Sequence, residues 1–137
     1  MKENSVKKTE YGNIAITRNA VGQVLMRAVE KHRHNVMLSN RKGRVIGKIT
    51  RLSGYNQIDD MEIFFDDDGA VSVKVYLVIR FGASITRTCV HIVDDIHSGL
   101  VSVMGREPKV VTVAVKGILS KNLAKRNIEV SRSYGDK

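Results

Sequence analysis

The chain has little of what secreted and membrane-spanning proteins depend on. Its 137 residues include one cysteine, one proline and no tryptophan. Because Cys89 is alone, it cannot form an internal disulfide, and nothing in the sequence indicates an oxidising compartment. The N-terminus has no hydrophobic run, and no apolar stretch approaches the roughly 20 residues that span a bilayer. These features predict a single-domain cytoplasmic protein.

The signatures of common enzymes are also missing. No glycine-rich phosphate loop follows a strand, and no serine nucleophile elbow is present. The acidic run Asp66–Asp68 lacks the distant bidentate glutamate of a calcium loop and is typical of a hairpin turn. His91 and Asp95 are four residues apart and could share a metal ion. Asp95 and His97 are two residues apart, which turns a helix by about 200°, so His97 lies on a different side of the helix. We therefore predict a protein that is not an enzyme, with no catalytic residue, no cofactor and no metal.

The net charge of +9 favours a polyanionic partner, either nucleic acid or an anionic membrane surface. Readers of single-stranded RNA stack bases on aromatic residues of a central strand. Only 5% of this chain is aromatic, and its long strand offers Tyr76 without the glycine–aromatic motif. Nucleic acid is therefore possible but not the favoured partner.

A long strand followed by an amphipathic helix organises the chain. Apolar residues occupy every odd position from Val71 to Phe81, which is the period of a half-buried strand. After Gly82 the apolar spacing changes to three and four residues, with Ser84 as a predicted N-cap. The apolar stripe of this helix consists of Ile85, Cys89, Ile92, Val93, Ile96, Leu100 and Val103.

The remaining patterns predict a two-layer α+β sandwich in the order β-α-(α)-β-β-α-β, with a small mixed or antiparallel sheet and helices on one face. Other predicted elements are a strand at 11–16, a helix at 18–33 capped by Thr17, a short helix at 43–53, and strands at 61–65 and 109–116. We divide the chain into a polar extension at 1–10, one domain at 11–119, and a basic, mobile tail at 120–137. A helical turn at 121–127 is an option within the tail.

Two surfaces are candidate binding sites. The segment from Ser39 to Gln57 has no acid, and its cations form a predicted docking surface for an anionic partner; they are Arg41, Lys42, Arg44, Lys48 and Arg51. A solvated face that only aids solubility is the alternative. The sheet face without helices is a predicted self-association surface, since an exposed apolar patch usually marks an interaction site. Its residues are Phe64, Lys74, Tyr76, Val78 and Arg80.

Three segments resemble the alkaline shock, or general stress, proteins of the bacterial envelope stress response. They are Gly12–Ile16, the stretch from the long strand through Phe81-Gly82-Ala83-Ser84-Ile85, and Val110–Val115. The resemblance implies a non-enzymatic, self-associating cytoplasmic protein at the inner face of the cell envelope. Its expected partners are further copies of itself and a membrane-anchored protein or an anionic lipid surface. A nucleic-acid-binding module and a regulator of lipid metabolism are the alternative functions.

Overall fold

The computed structural model describes residues 10–45 and 60–134, with side chains from residue 17 onward. These ranges contain two helices and five strands, in the order helix, three strands, helix, two strands. They are α1 (Glu10–Lys31), β1 (Val36–Leu38), β2 (Glu62–Phe65), β3 (Val71–Arg80), α2 (Ile85–Met104), β4 (Val110–Leu119) and β5 (Leu123–Ser133). The predicted α+β class is confirmed.

The strands form one mixed sheet with β3 and β4 at its centre. β3 and β4 are parallel and are joined through α2, whereas β5 pairs antiparallel with the other side of β4. β1 and β2 pair antiparallel with opposite ends of β3 on the edge that β4 leaves open. The sheet is therefore mixed, and β4 is an interior strand, as its apolar sequence predicts.

Both helices cover the same face of the sheet. The alternation predicted for β3 is present, because Val73, Val75 and Leu77 are buried beneath the helices. The stripe predicted for α2 is buried from Cys89 to Leu100, and the Ser84 hydroxyl accepts a hydrogen bond from the Arg87 N–H at 3.3 Å. Val103, the last member of the predicted stripe, is instead 48% exposed. The core therefore lies between the helices and the inner face of the sheet.

The strand predicted at 11–16 is wrong, because α1 begins at Glu10 and continues through this segment. A short apolar run does not by itself distinguish a strand from a helix. Ile14 lies seven residues before Val21, so it extends the helical period of α1 by two turns. Thr17, the predicted N-cap, consequently lies inside the helix.

The mobile tail predicted at 120–137 is also wrong, since most of it forms β5 along the whole of β4. The helical turn predicted at 121–127 is replaced by a tight turn at Ser120–Asn122 and the start of this strand. The sequence does carry the signal: Ile128 and Val130 pack against the core and alternate with exposed Glu129 and Ser131. That period of two is typical of a strand with one buried face.

Candidate functional site

The predicted self-association face is not the exposed apolar patch that the sequence suggests. Tyr76 is 4% exposed and Val78 is 0% exposed, while Phe64 is 66% exposed and stands apart from them on β2. Lys74 forms an ion pair with Glu129 at 2.8 Å across the outer face of the sheet. Of the apolar residues Phe64, Tyr76 and Val78, the last two are thus buried in the folded chain. Self-association stays a prediction, but this patch does not support it.

Polar groups on this outer face contact one another. The Tyr76 hydroxyl donates a hydrogen bond to the Glu62 carboxylate, which also pairs with Arg41 at 3.4 Å. Burial raises the pKa of the Tyr76 phenol, and the hydrogen bond to Glu62 adds to the rise. The hydrogen bond to Glu129 raises the pKa of Lys74. These contacts join β2, β3 and β5 on the outer face of the sheet.

The predicted docking surface begins in a turn rather than in the predicted helix at 43–53. The Asn40 side-chain oxygen accepts hydrogen bonds from the N–H groups of Lys42 and Arg44, both at 2.9 Å. Gly43, with φ of +91°, lies against Lys116, so that an added Cβ would stand 3.2 Å from the Lys116 Cβ. A left-handed conformation in such a confined place favours glycine. Beyond Val45, the predicted helix lies outside the described residues.

The cations of this predicted surface differ in their contacts. Arg41 pairs with Glu62, whereas Lys42 and Arg44 are exposed and have no ion pair within the described ranges. Lys48 and Arg51 lie outside those ranges. The described residues thus contribute two free cations to the predicted docking surface.

The histidines and acids of α2 contact different neighbours. Asp95 pairs with His32 at 2.7 Å and with Lys31 at 3.5 Å, so it links α2 to the end of α1. Asp94 pairs with Arg132 of β5 at 2.6 Å. His97 pairs with Glu107 at 2.5 Å and stacks on Tyr134. No group of three or more potential metal ligands occurs in the part of the chain that the structure describes.

A cluster of cations that the sequence analysis did not group lies at one end of the sheet. Backbone hydrogen bonds assemble this end, since the Arg80 N–H donates to the Asn35 carbonyl and the Phe81 N–H donates to the Leu119 carbonyl, both at 2.8 Å. The end of α1, the end of β3, the start of α2 and the β4–β5 turn therefore meet there. We call this the basic end; its cations are Arg33, Arg80, Arg87 and Lys121, and His34 lies beside Arg33.

The cations of the basic end are exposed and have no ion pair among the described residues. Glu30, one helical turn before Arg33, is the nearest acid in the sequence, and no ion pair joins the two in the described ranges. Asp95 is engaged by Lys31 and His32. The first turn of α2 also contains no acid, although a helix N-terminus favours negative charge. The basic end therefore carries positive charge that the described part of the chain does not neutralise.

Two exposed apolar side chains share this end with the cations. Phe81 is 77% exposed and is the most exposed large apolar residue in the described ranges, and Leu123 is 40% exposed. Leu123 pairs with Leu119, which accepts the hydrogen bond from Phe81. The alternating pattern predicts Phe81 on the buried side of the strand, but β3 ends at Arg80 and the alternation stops with it.

The opposite end of the sheet is acidic, and two of its acids, Asp66 and Asp68, pair with neighbouring cations. We call it the acidic end; its acids are Asp66, Asp67, Asp68 and Glu107. Lys109 pairs with Asp66 at 3.4 Å. Arg106 donates a hydrogen bond to the Asp68 carbonyl at 2.8 Å and lies 3.8 Å from its carboxylate. The predicted turn at 66–69 is confirmed, with the Ala70 N–H bound to the Asp66 carboxylate at 3.0 Å.

A cleft of about 630 Å³ lies beside the acidic end, between the β2–β3 turn and the ends of β4 and β5. The charged side chains on its wall are Asp66, Asp68, Arg106, Glu107 and Lys109. Asp66 pairs with Lys109, Asp68 with Arg106, and Glu107 with His97. Ligand sites usually combine an apolar, enclosed cavity with a few free polar groups. Because its charged side chains are engaged in ion pairs, this cleft is a weaker candidate site than the basic end.

Comparison of the chain with protein-family models, curated proteins and solved structures finds no match. Neither helix in the described residues has an apolar stretch long enough to cross a membrane. The basic end, with its exposed cations that have no ion pair in the described residues, is thus the strongest candidate site.

Proposed function

We propose that this protein is a non-enzymatic docking module that binds an anionic membrane surface through its basic end. The observation that carries this proposal is the clustering of Arg33, Arg80, Arg87 and Lys121, exposed and without ion pairs in the described ranges. Each cation near an anionic bilayer contributes on the order of 1 kcal/mol. Four such cations on one end of a small domain are enough for reversible peripheral binding.

A membrane surface suits this end better than nucleic acid does. Single-stranded nucleic acids bind through several aromatic residues on which bases stack. Among the described residues of the basic end, only Phe81 and the ring of His34 offer such a surface. Leu123 offers no stacking plane, but an aliphatic side chain is favourable at a lipid interface. The resemblance to envelope stress proteins supports the same choice. In this proposal the protein serves as a scaffold that presents the remainder of its surface to protein partners.

Charge reversal at the basic end tests the proposal. Arg80→Glu with Arg87→Glu should lower binding to phosphatidylglycerol-containing vesicles by at least about a hundredfold at low salt. The matched control is Lys42→Glu with Arg44→Glu, which changes the net charge equally at the other candidate surface. We expect less than a tenfold loss from it. Sedimentation with vesicles measures both, and thermal unfolding establishes that each variant folds.

Three results would contradict the proposal. Equal losses from the two double variants would show that only net charge matters. A larger loss from Lys42→Glu with Arg44→Glu would move the docking site to the turn at 40–45. Tighter binding to a short DNA duplex than to the vesicles, at the same ionic strength, would replace the membrane with nucleic acid.

A further inference from the structure

The loop between β3 and α2 holds Phe81 away from the body of the domain. A Cβ built on Gly82, which has φ of +97°, would meet no atom within 4 Å, so the space around the loop is open. The loop is nevertheless held in place, because the Phe81 N–H donates to the Leu119 carbonyl at 2.8 Å and the Ala83 N–H to the Arg80 carbonyl at 3.2 Å. Phe81 is therefore presented on a short, fixed turn.

The residues around Phe81 match the environment of a lipid interface. Arg80 precedes it directly, Arg87 follows in the first turn of α2, and both are exposed. Arginine can keep its guanidinium among phosphate groups while its aliphatic stem lies along apolar surface. Leu123, 40% exposed, adds a second apolar side chain at the same end. Exposed apolar side chains next to cations that have no ion pair in the described residues are complementary to a bilayer, in which anionic headgroups cover acyl chains.

We propose that Phe81 is an apolar anchor that enters the interfacial region of an anionic bilayer while the surrounding cations bind lipid phosphates. This inference rests on the proposed docking function. It adds that the partner is a bilayer with accessible acyl chains, rather than a charged surface alone, and that Phe81 enters its interfacial region. Phe64 provides an internal comparison. It is 66% exposed, but it lies on β2, two residues from Asp66 of the acidic end.

A tryptophan reporter tests insertion directly, because the chain has no tryptophan of its own. We expect the emission of Phe81→Trp to shift to shorter wavelength on vesicles of equal parts phosphatidylcholine and phosphatidylglycerol. Brominated phosphatidylcholine in the same vesicles should quench it. Phe64→Trp, bound to the same vesicles, should show neither effect.

Removal of the ring gives a second, independent measurement. Burial of a phenylalanine side chain corresponds to at least about a tenfold gain in binding, so Phe81→Ser should bind these vesicles at least about tenfold more weakly. Phe64→Ser, which loses a ring of similar exposure, should bind as the unaltered chain does. Because both side chains are exposed, neither variant should have a lower unfolding temperature.

The outcomes separate this inference from the docking function. If Phe81→Trp sediments with the vesicles but its emission is unchanged and unquenched, Phe81 does not insert, and electrostatic docking stands. Equal losses from Phe81→Ser and Phe64→Ser would also overturn the anchor. If the unaltered chain does not sediment with the vesicles at low salt, the docking function and the anchor are both wrong.

Discussion

The basic end and the acidic end of the sheet differ in what their arginine and lysine side chains contact. At the acidic end, Arg106 and Lys109 pair with the carboxylates of the β2–β3 turn. At the basic end, Arg80 and Arg87 have no acid within reach in the described residues. An exposed ion pair contributes about 0–1 kcal/mol to folding, and unpaired like charges oppose it. Cations at the acidic end therefore serve the fold, whereas those at the basic end are available to a partner.

Removing the positive charges of the basic end should have the largest effect of any variant on binding to anionic vesicles. With Arg33, Arg80, Arg87 and Lys121 all changed to glutamine, we expect binding to anionic vesicles to fall about a thousandfold at low salt. Four cations at about 1 kcal/mol each correspond to that ratio. The unfolding temperature should stay equal or rise, because like charges are removed. A clear fall in unfolding temperature would show that these cations stabilise the fold instead.

The sequence was sufficient for the parts of the fold whose signal is local. The alternation of β3, the stripe of α2 and the aspartate–glycine turn each lie within one short segment, and the structure has all three. The burial of Tyr76 and Val78 was not predictable in this way, because it depends on contacts between segments that are distant in the sequence, such as that of Tyr76 with Glu62. Local pattern determines an element, but exposure is a tertiary property.

The basic end could not be predicted for the same reason. Arg33 and Lys121 come from distant parts of the chain, and only the pairing of β1, β3, β4 and β5 brings their segments to the same end of the sheet. One partial signal was available: Arg80, Phe81 and Arg87 flank a strand-to-helix loop, and the first turn of the helix has no acid. A first helical turn that contains arginine and neither aspartate nor glutamate departs from the usual preference.

Cys89 tests how far the positive charge of the basic end reaches into the core. A thiol near cations and a helix N-terminus would have a lowered pKa. Burial dominates here and raises the pKa of the Cys89 thiol to about 11. At about pH 8 its thiolate fraction is then about a hundredfold below that of an unfolded cysteine with a pKa of about 8.5. We expect iodoacetamide to modify the native chain at least a hundredfold more slowly than the denatured chain, measured by mass spectrometry.

The Arg87→Gln variant is the control for Cys89, since it removes the cation nearest to it on α2. Its alkylation rate should equal that of the unaltered chain, because burial and not the surface charge sets the pKa. A faster native reaction, or one that changes with Arg87→Gln, would mean that the potential of the basic end extends to this thiol.

The acidic end should show its structural role in the pH dependence of stability. Contacts with the Asp68 side chain, the Ala70 N–H and Lys109 lower the pKa of the Asp66 carboxyl. A group with a lowered folded pKa stabilises the fold above its unfolded value, about 3.9, and this stability is lost as the pH falls through the folded pKa. Asp66→Asn should therefore lower the unfolding temperature at neutral pH, and the difference from the unaltered chain should shrink in acid.

Asp67→Asn is the matched variant in the same turn. It removes a carboxylate that has neither the Ala70 bond nor an ion pair in the described ranges. Its unfolding temperature at neutral pH should lie closer to that of the unaltered chain. If thermal unfolding shows Asp66→Asn and Asp67→Asn to be equivalent, the paired contacts at the acidic end do not stabilise the turn.

The smallest expected effect on vesicle binding comes from raising the net charge by one at either end of the sheet. Asp67→Asn removes one negative charge at the acidic end, and Asn122→Lys adds one positive charge at the basic end, in the exposed β4–β5 turn. Each raises the net charge by one. The ten residues of β3 separate the ends by roughly 30 Å, several times the Debye length of about 8 Å at physiological salt. We expect Asn122→Lys to tighten binding to anionic vesicles about fivefold and Asp67→Asn to change it by less than about twofold. Equal effects from both would mean that the protein binds through its overall charge, without a preferred end.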